Sequence, residues 1–215
     1  MNDHYQQRHG RFHAVVFDVY GTLAEIGDKR APFRKLLKIG ERQGRRPSPV
    51  DAETIMSAPL RLSSAAKLLG IELVPAEAAA LEEDLRAELE SIRLFPDTLA
   101  TLDALRARGV ILGLCSNLAA DYAQPIIDLL QGRVDALIWS FEAGAIKPSP
   151  RIYAKACEAL GCAPADVLMV GDTAAADVDG PRAFGMQARL LDRSRPLPSG
   201  DTLHSLYGIL NIDPT

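Results

Sequence analysis

Five short apolar runs recur along the chain, and their spacing constrains the fold more than any other feature. AVVF at 14–17, VILGLC at 110–115, ALIW at 136–139, VLMV at 167–170 and ARLL at 188–191 are too short for buried helices. Their nearly continuous apolar character is that of strands covered on both faces. Amphipathic stretches separate them: within 97–108, Leu99, Leu102 and Leu105 recur at spacing three, and within 149–160, Ile152, Ala156 and Leu160 recur at spacing four. Gly109 and Gly161 then stand where helix C-terminal caps belong. Strands alternating with helices predict an α/β fold with a doubly wound parallel sheet.

Between the first two runs lie about 90 residues, where a crossover with its helix needs about 30. Residues 25–93 contain no convincing strand run and read as three or four helices, broken near 44–49, Pro59 and 70–75. The expected organisation is an α/β core from 1–24 and 94–215, with a small all-helical cap inserted at 25–93. The Pro- and Ser-rich stretch 193–200 reads as a surface loop.

Charge narrows the choice of partner. With 24 Lys and Arg against 28 Asp and Glu, the net charge of −4 provides no global positive field for nucleic acid or anionic membranes. The basic stretch 35–46 punctuates an apolar helical pattern and reads as a solvated face. Cys115, Cys157 and Cys162 are odd in number and form no CxxC pair, which points to a reducing compartment. The opening MNDHYQQRHGRFH is polar where a secretory signal is apolar, and no run approaches a membrane span. A cytoplasmic protein with a small-molecule substrate is expected, its oligomeric state left open.

In an open parallel sheet, ligands collect at the carboxyl ends of the strands. Four such ends, or the loops just beyond them, carry Asp18, Ser116 with Asn117, Lys147, and Asp172 with Asp177. A single Asp after a strand is usually a helix cap and a single Lys is usually solvated. Capping alone does not account for all of them in this order.

FDVYGTL at 17–23 resembles the first motif of the haloacid dehalogenase-like (HAD) hydrolase superfamily, whose leading Asp is a covalent nucleophile. CSN at 115–117 resembles the second motif, AIKPSPRIY around Lys147 the third, and VGDTAAADVDGPRAFGM around Asp172 and Asp177 the fourth. The resemblance covers nearly all of the chain outside the cap and implies a Rossmann-like core. It makes Asp18 the nucleophile, with Ser116 and the Asn117 backbone N–H on the transferring group, Lys147 neutralising charge beside Asp18 and Thr22 helping to hold the loop. It places Mg²⁺ on Asp18, Asp172 and the Tyr20 backbone carbonyl, with Asp177 ligating through water or orienting the other ligands. An ionised carboxylate attacking a phosphate ester needs such cations to offset the repulsion.

One departure divides the reading. Phosphatases of the superfamily carry a second Asp two residues after the nucleophile, and this chain has Tyr20 there. The DxYGT form resembles the metal-independent 2-haloacid dehalogenases, whereas the intact Gly171-Asp172 pair resembles the Mg²⁺-dependent phosphatases. Phosphate-ester hydrolysis leads, because Asp172 left without a cation would impede ionisation of Asp18. Dehalogenation is the alternative, with Arg42, Arg45, Arg46 and Arg61 as unranked candidates for a halide-binding cap Arg and Tyr20 itself facing the substrate. A non-catalytic binding or regulatory protein of the same fold is a third possibility.

Overall fold

A strand that is apolar on both faces has to be covered twice, and β1 (Ala14–Phe17) is, with all four residues buried. The computed structural model describes residues 12–194 and 202–212. After β1 the chain forms β2 (Ala24–Ile26) and four helices, α1 (Pro32–Arg42), α2 (Asp51–Met56), α3 (Leu62–Leu68) and α4 (Pro75–Glu90). There follow β3 (Ile92–Leu94), α5 (Thr98–Ala107), β4 (Ile111–Ser116), α6 (Ala123–Leu130) and β5 (Ala136–Trp139). The remaining elements are α7 (Ser140–Ala143), α8 (Pro150–Leu160), β6 (Val167–Gly171), α9 (Gly180–Phe184), β7 (Gln187–Leu191) and β8 (Thr202–Leu203).

The main sheet has six strands in the order β5-β4-β1-β6-β7-β8, and every neighbouring pair is parallel. Alternate residues of β1 enter different cores. Val15 and Phe17 pack with Leu102 and Leu105 of α5 and Ile126 and Leu130 of α6. Ala14 and Val16 pack with Ile152, Tyr153, Ala156 and Leu160 of α8 on the other face. The chain moves from β1 outward through β4 to β5, then crosses back to fill the other side from β6, so the strand order reverses beside β1. The crevice at such a reversal is where open α/β sheets bind ligands.

The sheet is an α/β, doubly wound one, as the apolar runs predict, with differences at the margins. The second strand begins at Ile111 rather than Val110, because the Val110 N–H bonds the Leu105 carbonyl at 3.1 Å and closes the end of α5. Gly109 at φ 77° makes that closure, and Gly161 at φ 63° ends α8 likewise. The sixth strand, β8, has only two residues, too few for a pattern to register.

The insertion is not wholly helical. It enters through β2 and leaves through β3, which pair antiparallel with Ala24 opposite Leu94 and Ile26 opposite Ile92. Three-residue strands cannot display a period, and their pairing joins positions remote in sequence, so neither was visible beforehand. Helices α1–α4 carry their own apolar cluster, including Leu36, Ile39, Leu62, Leu81 and Leu85, which Ala119 joins from the loop after β4. The polar opening residues 1–11 and residues 195–200 of the expected surface loop lie outside the described residues.

Burial differs between the inner face of α5 and the edge strand β5, and predicts unequal costs. Leu105→Ala, deleting a side chain with no exposure, should destabilise the protein by about 2–5 kcal/mol. Leu137→Lys, at a site 38% exposed on the edge strand, should stay within about 0.5 kcal/mol. Urea denaturation midpoints at unchanged slope check both.

Candidate active site

The nucleophile candidate is the first residue past β1. The Asp18 N–H still bonds the Val170 carbonyl at 2.9 Å, so its backbone is fixed by the sheet while its side chain emerges at the crevice. The turn that follows folds onto the Val19 carbonyl, which accepts from the N–H groups of Thr22, Leu23 and Ala24. Gly21 sits in that turn at φ 94°, and a Cβ there would lie 2.0 Å from Asp172 Oδ2. Only glycine meets both demands.

Lys147 is the centre of the cluster. It is 3% exposed, and its Nζ donates to Asp18 Oδ1 at 2.8 Å and to Asp177 Oδ1 at 2.6 Å. Ser116, the last residue of β4, donates its hydroxyl to the same Asp18 Oδ1 at 3.0 Å. Asn117 grips the Lys147 backbone at both ends: its Oδ1 accepts from the Lys147 N–H at 2.7 Å and its Nδ2 donates to the Lys147 carbonyl at 2.9 Å. The peptide bond from Lys147 to Pro148 is cis. Asp177, in the widened helical turn Ala174–Asp179, also accepts from the Thr173 N–H at 2.9 Å through Oδ2. Gly171 lets it approach, since a Cβ there would lie 2.3 Å from the Asp177 Cγ.

Asp172 is different. It is exposed, and its recorded side-chain bond is a long one, 3.2 Å from the Thr173 hydroxyl. Carboxylate oxygens of Asp18, Asp172 and Asp177 nevertheless lie within 4.8 Å of one another. Burial pushes the Asp18 carboxyl up to about 6; Lys147 opposes that shift, and Asp177 and Asp172 reinforce it. Burial also raises Asp172. For Lys147, burial works against the charge, but the attraction of Asp18 and Asp177 outweighs it and holds the ammonium above its ordinary range. Two of these three carboxylates bond the buried Lys147 ammonium. A divalent ion with hard oxygen preference fits that donor set and its surplus charge.

The expected residues Asp18, Ser116, Asn117, Lys147, Asp172 and Asp177 thus come together. Thr22 does not join them by any recorded contact: it is fully buried, and its hydroxyl has no partner among the described residues. Its carbonyl accepts from Arg193 Nη2 at 2.7 Å, and Arg193 also clasps both oxygens of buried Asp97 and lies over the Phe95 ring. Sequence reasoning missed this brace on the turn after β1 because neither Arg193 nor Asp97 belongs to a motif.

The Tyr20 side chain turns away from the carboxylates. Its hydroxyl donates to the Tyr122 carbonyl at 2.7 Å, and the two rings meet edge to face with centroids 6.0 Å apart. Burial, reinforced by Glu88, raises its pKa above the usual phenol range. Tyr122 in turn donates to Glu88, which is buried in α4 and accepts from the Ala31 N–H at 2.6 Å. Through Tyr122, Tyr20 therefore links the turn after β1 to the inserted helices.

The four Arg candidates belong to the insertion itself. Arg42 pairs with Glu77, and Arg45 makes two bonds to Asp51 and one to the Leu69 carbonyl. Arg46 and Arg61 are exposed. The arginine that reaches the space beside Tyr20 is Arg34, which lines a cavity of about 440 Å³ together with Tyr20, Phe33 and Asn117. Its spacing gave no sign of this.

Residues 12–185 match the model for haloacid dehalogenase-like hydrolases. The chain belongs to that family. Among similar HAD hydrolases is a Mycobacterium tuberculosis protein named as a phosphatase, 32% identical and matched over 92% of this chain and 96% of its own length. An (S)-2-haloacid dehalogenase from Burkholderia cepacia is 29% identical over 53% of this chain and 49% of its own length. The chain spans about half the length of several other curated relatives it matches. The crystal structure of an HAD phosphatase from Thermococcus onnurineus superposes with TM-score 0.64 at 25% identity, covering 95% of this chain and all of that one.

The Asp18 carboxyl carries a stability cost with a definite sign. Its folded pKa of about 6 lies above the ordinary 3.8, so ionisation opposes folding above about pH 6 and is neutral below pH 3.8. Asp18→Asn, free of divalent cations, should therefore be more stable than wild type at pH 7 by roughly 1–3 kcal/mol. The gain should shrink as pH falls through 6 and vanish near pH 4, measured by denaturation at each pH.

Proposed function

We propose that this HAD hydrolase is a Mg²⁺-dependent phosphomonoesterase that works through an aspartyl-phosphate at Asp18. One observation carries the reading: Asp172 stands as a third carboxylate beside Asp18 and Asp177, with Lys147 the one ammonium bonded within the cluster. A metal-free dehalogenase gains nothing from an acid that hinders ionisation of its nucleophile.

In this mechanism Ser116 and Lys147 hold Asp18 through Oδ1, which leaves Oδ2 to attack phosphorus. A bond forms from Asp18 to phosphorus as the ester P–O bond breaks, and the alkoxide departs with a proton from water. Water then attacks the phosphoryl group, releases inorganic phosphate and restores Asp18. Asp18, Asp172 and the Tyr20 carbonyl would hold Mg²⁺, with Asp177 beside them, and the ion would supply charge that screens the attack on an anion. Asp177 and Asn117 act as positioning residues, each fixing Lys147 from a different side. Thr22 steadies the turn as a buried side chain. Residues 25–93 serve as the cap, over a core of 1–24 and 94–215. Three cysteines unpaired with one another, together with the composition, support a cytoplasmic setting.

Tyr20 favours the second reading, 2-haloacid dehalogenation, because no acid follows the nucleophile. A parallel screen of phosphate esters and 2-haloacids, reading phosphate and halide with Mg²⁺ or with chelator, separates the two. Phosphate release lost with chelator is the expected result, and Asp172→Ala should weaken Mg²⁺ binding while leaving the fold intact. Halide release that survives chelation would install the dehalogenase reading. Release of neither product would leave a binding protein.

Tyr20 limits the phosphatase on basic leaving groups. Tyr20→Phe, which loses only the bond to Tyr122, should retain turnover and cost about 1 kcal/mol of stability. Tyr20→Asp should speed alkyl phosphate hydrolysis at least tenfold, since a positioned acid–base group contributes about 10²- to 10⁴-fold. Steady-state kcat on alkyl and aryl phosphates, with Mg²⁺ binding measured alongside, checks this.

A further inference from the structure

The cavity of about 440 Å³ between the nucleophile turn, α1, α2 and the loop after β4 is within the range of small-molecule sites. It abuts the chemistry, because Tyr20 and Asn117 belong to both: Tyr20 lies two residues past Asp18, and Asn117 holds Lys147. Its walls are apolar, with Phe33, Leu37, Ile55 and Met56 from the inserted helices facing Leu118 of the core.

The polar side chains of the lining are few and already engaged. The Tyr20 hydroxyl bonds the Tyr122 carbonyl, the Tyr122 hydroxyl bonds Glu88, and the Asn117 amide bonds the Lys147 backbone at both its oxygen and its nitrogen. A polyol entering here exchanges water for walls that return few hydrogen bonds, which disfavours it. A flat apolar group has no such penalty.

Arg34, in the first turn of α1, is the one charged residue of the lining. Among the described residues its guanidinium has no recorded ion-pair or hydrogen-bond partner, unlike Arg30, Arg42 and Arg45 of the same insertion. An unpaired guanidinium at the edge of an apolar pocket is suited to a carboxylate or phosphate on the ligand.

We propose that this pocket receives the leaving group of the ester and selects an aromatic or similarly flat apolar alcohol that bears an anionic substituent, paired by Arg34. The assignment rests on the phosphatase reading and extends it to a substrate class. It also agrees with Tyr20, since aryl oxides leave with little help from an acid.

The test compares phenyl phosphate, 4-carboxyphenyl phosphate and glycerol 3-phosphate on the full chain with Mg²⁺. Wild type should prefer both aryl esters to glycerol phosphate by at least tenfold in kcat/KM. Arg34→Ala should raise KM for the carboxyphenyl ester about fivefold, a typical loss for a partly exposed ion pair, with kcat held and phenyl phosphate unaffected. Wild type should favour 4-carboxyphenyl over phenyl phosphate through a lower KM, and Arg34→Glu should reverse that order. Equal effects of Arg34→Ala on both, or a preference for glycerol phosphate, would overturn the proposal while leaving phosphatase activity standing. If no ester is hydrolysed, the phosphatase reading fails, and calorimetric titration with 4-hydroxybenzoate judges the pocket separately. Saturable binding by wild type that weakens in Arg34→Ala supports it; no binding, or equal binding by both, refutes it.

Discussion

A buried ammonium bridging two carboxylates holds this structure's functional end together. Lys147 arrives from the loop before α8, Asp18 from β1 and Asp177 from the turn after β6, and all three side chains are almost free of solvent. Burying such charges costs several kcal/mol each unless they are paired and hydrogen-bonded. The surrounding details read as conditions for that pairing: Asn117 fixes the Lys147 backbone, Ser116 shares Asp18, and Gly171 and Gly21 clear the space for two carboxylates. The charge balance remains negative even so. That surplus of negative charge adds to burial in raising the Asp18 carboxyl and suits the site to a cation.

The sheet was legible in the sequence because parallel strands covered on both faces are nearly continuously apolar, and five segments came close to that, with Arg189 the one charge among them. Elements whose stability comes from distant pairing left no such trace. β2 and β3 are three residues each and find one another across the whole insertion, and β8 is shorter still. The convergence of Asp18, Ser116, Lys147, Asp172 and Asp177 was legible for the same topological reason as the sheet, since strand ends of one polarity share a rim. Individual contacts were not. Nothing in a linear string distinguishes an arginine paired inside the insertion, such as Arg45, from one lining the cleft, such as Arg34. Nor does it show that Tyr20 points at Tyr122, or that Arg193, held by Asp97, braces the turn after β1 from the far end of the chain.

The junction between sheet and inserted helices is chemically unlike either. Glu88 is an acidic side chain buried in α4, answered by the Ala31 N–H at the start of α1 and by the Tyr122 hydroxyl from the core side. Tyr20 joins the same knot through the Tyr122 carbonyl. Buried polar groups satisfied in this way fix relative orientation more sharply than apolar contact does, because each bond has a direction. The residue standing where phosphatases of the family carry their second acid has become part of a fastening.

The neck formed by β2 and β3 bears on how such a protein can change over time. Because Ala24 and Leu94 face one another across a hydrogen-bonded pair, the entry and exit of the insertion sit side by side on the core. The sheet needs only that those two ends remain adjacent, whatever lies between them. An exchange of the intervening segment would leave the strand order, the two apolar layers and the Lys147 cluster unaltered while replacing Phe33, Arg34, Leu37, Ile55 and Met56 together. The chain is thus arranged so that the Lys147 cluster and the walls of the neighbouring cavity can be inherited separately, with the seam at a pair of three-residue strands.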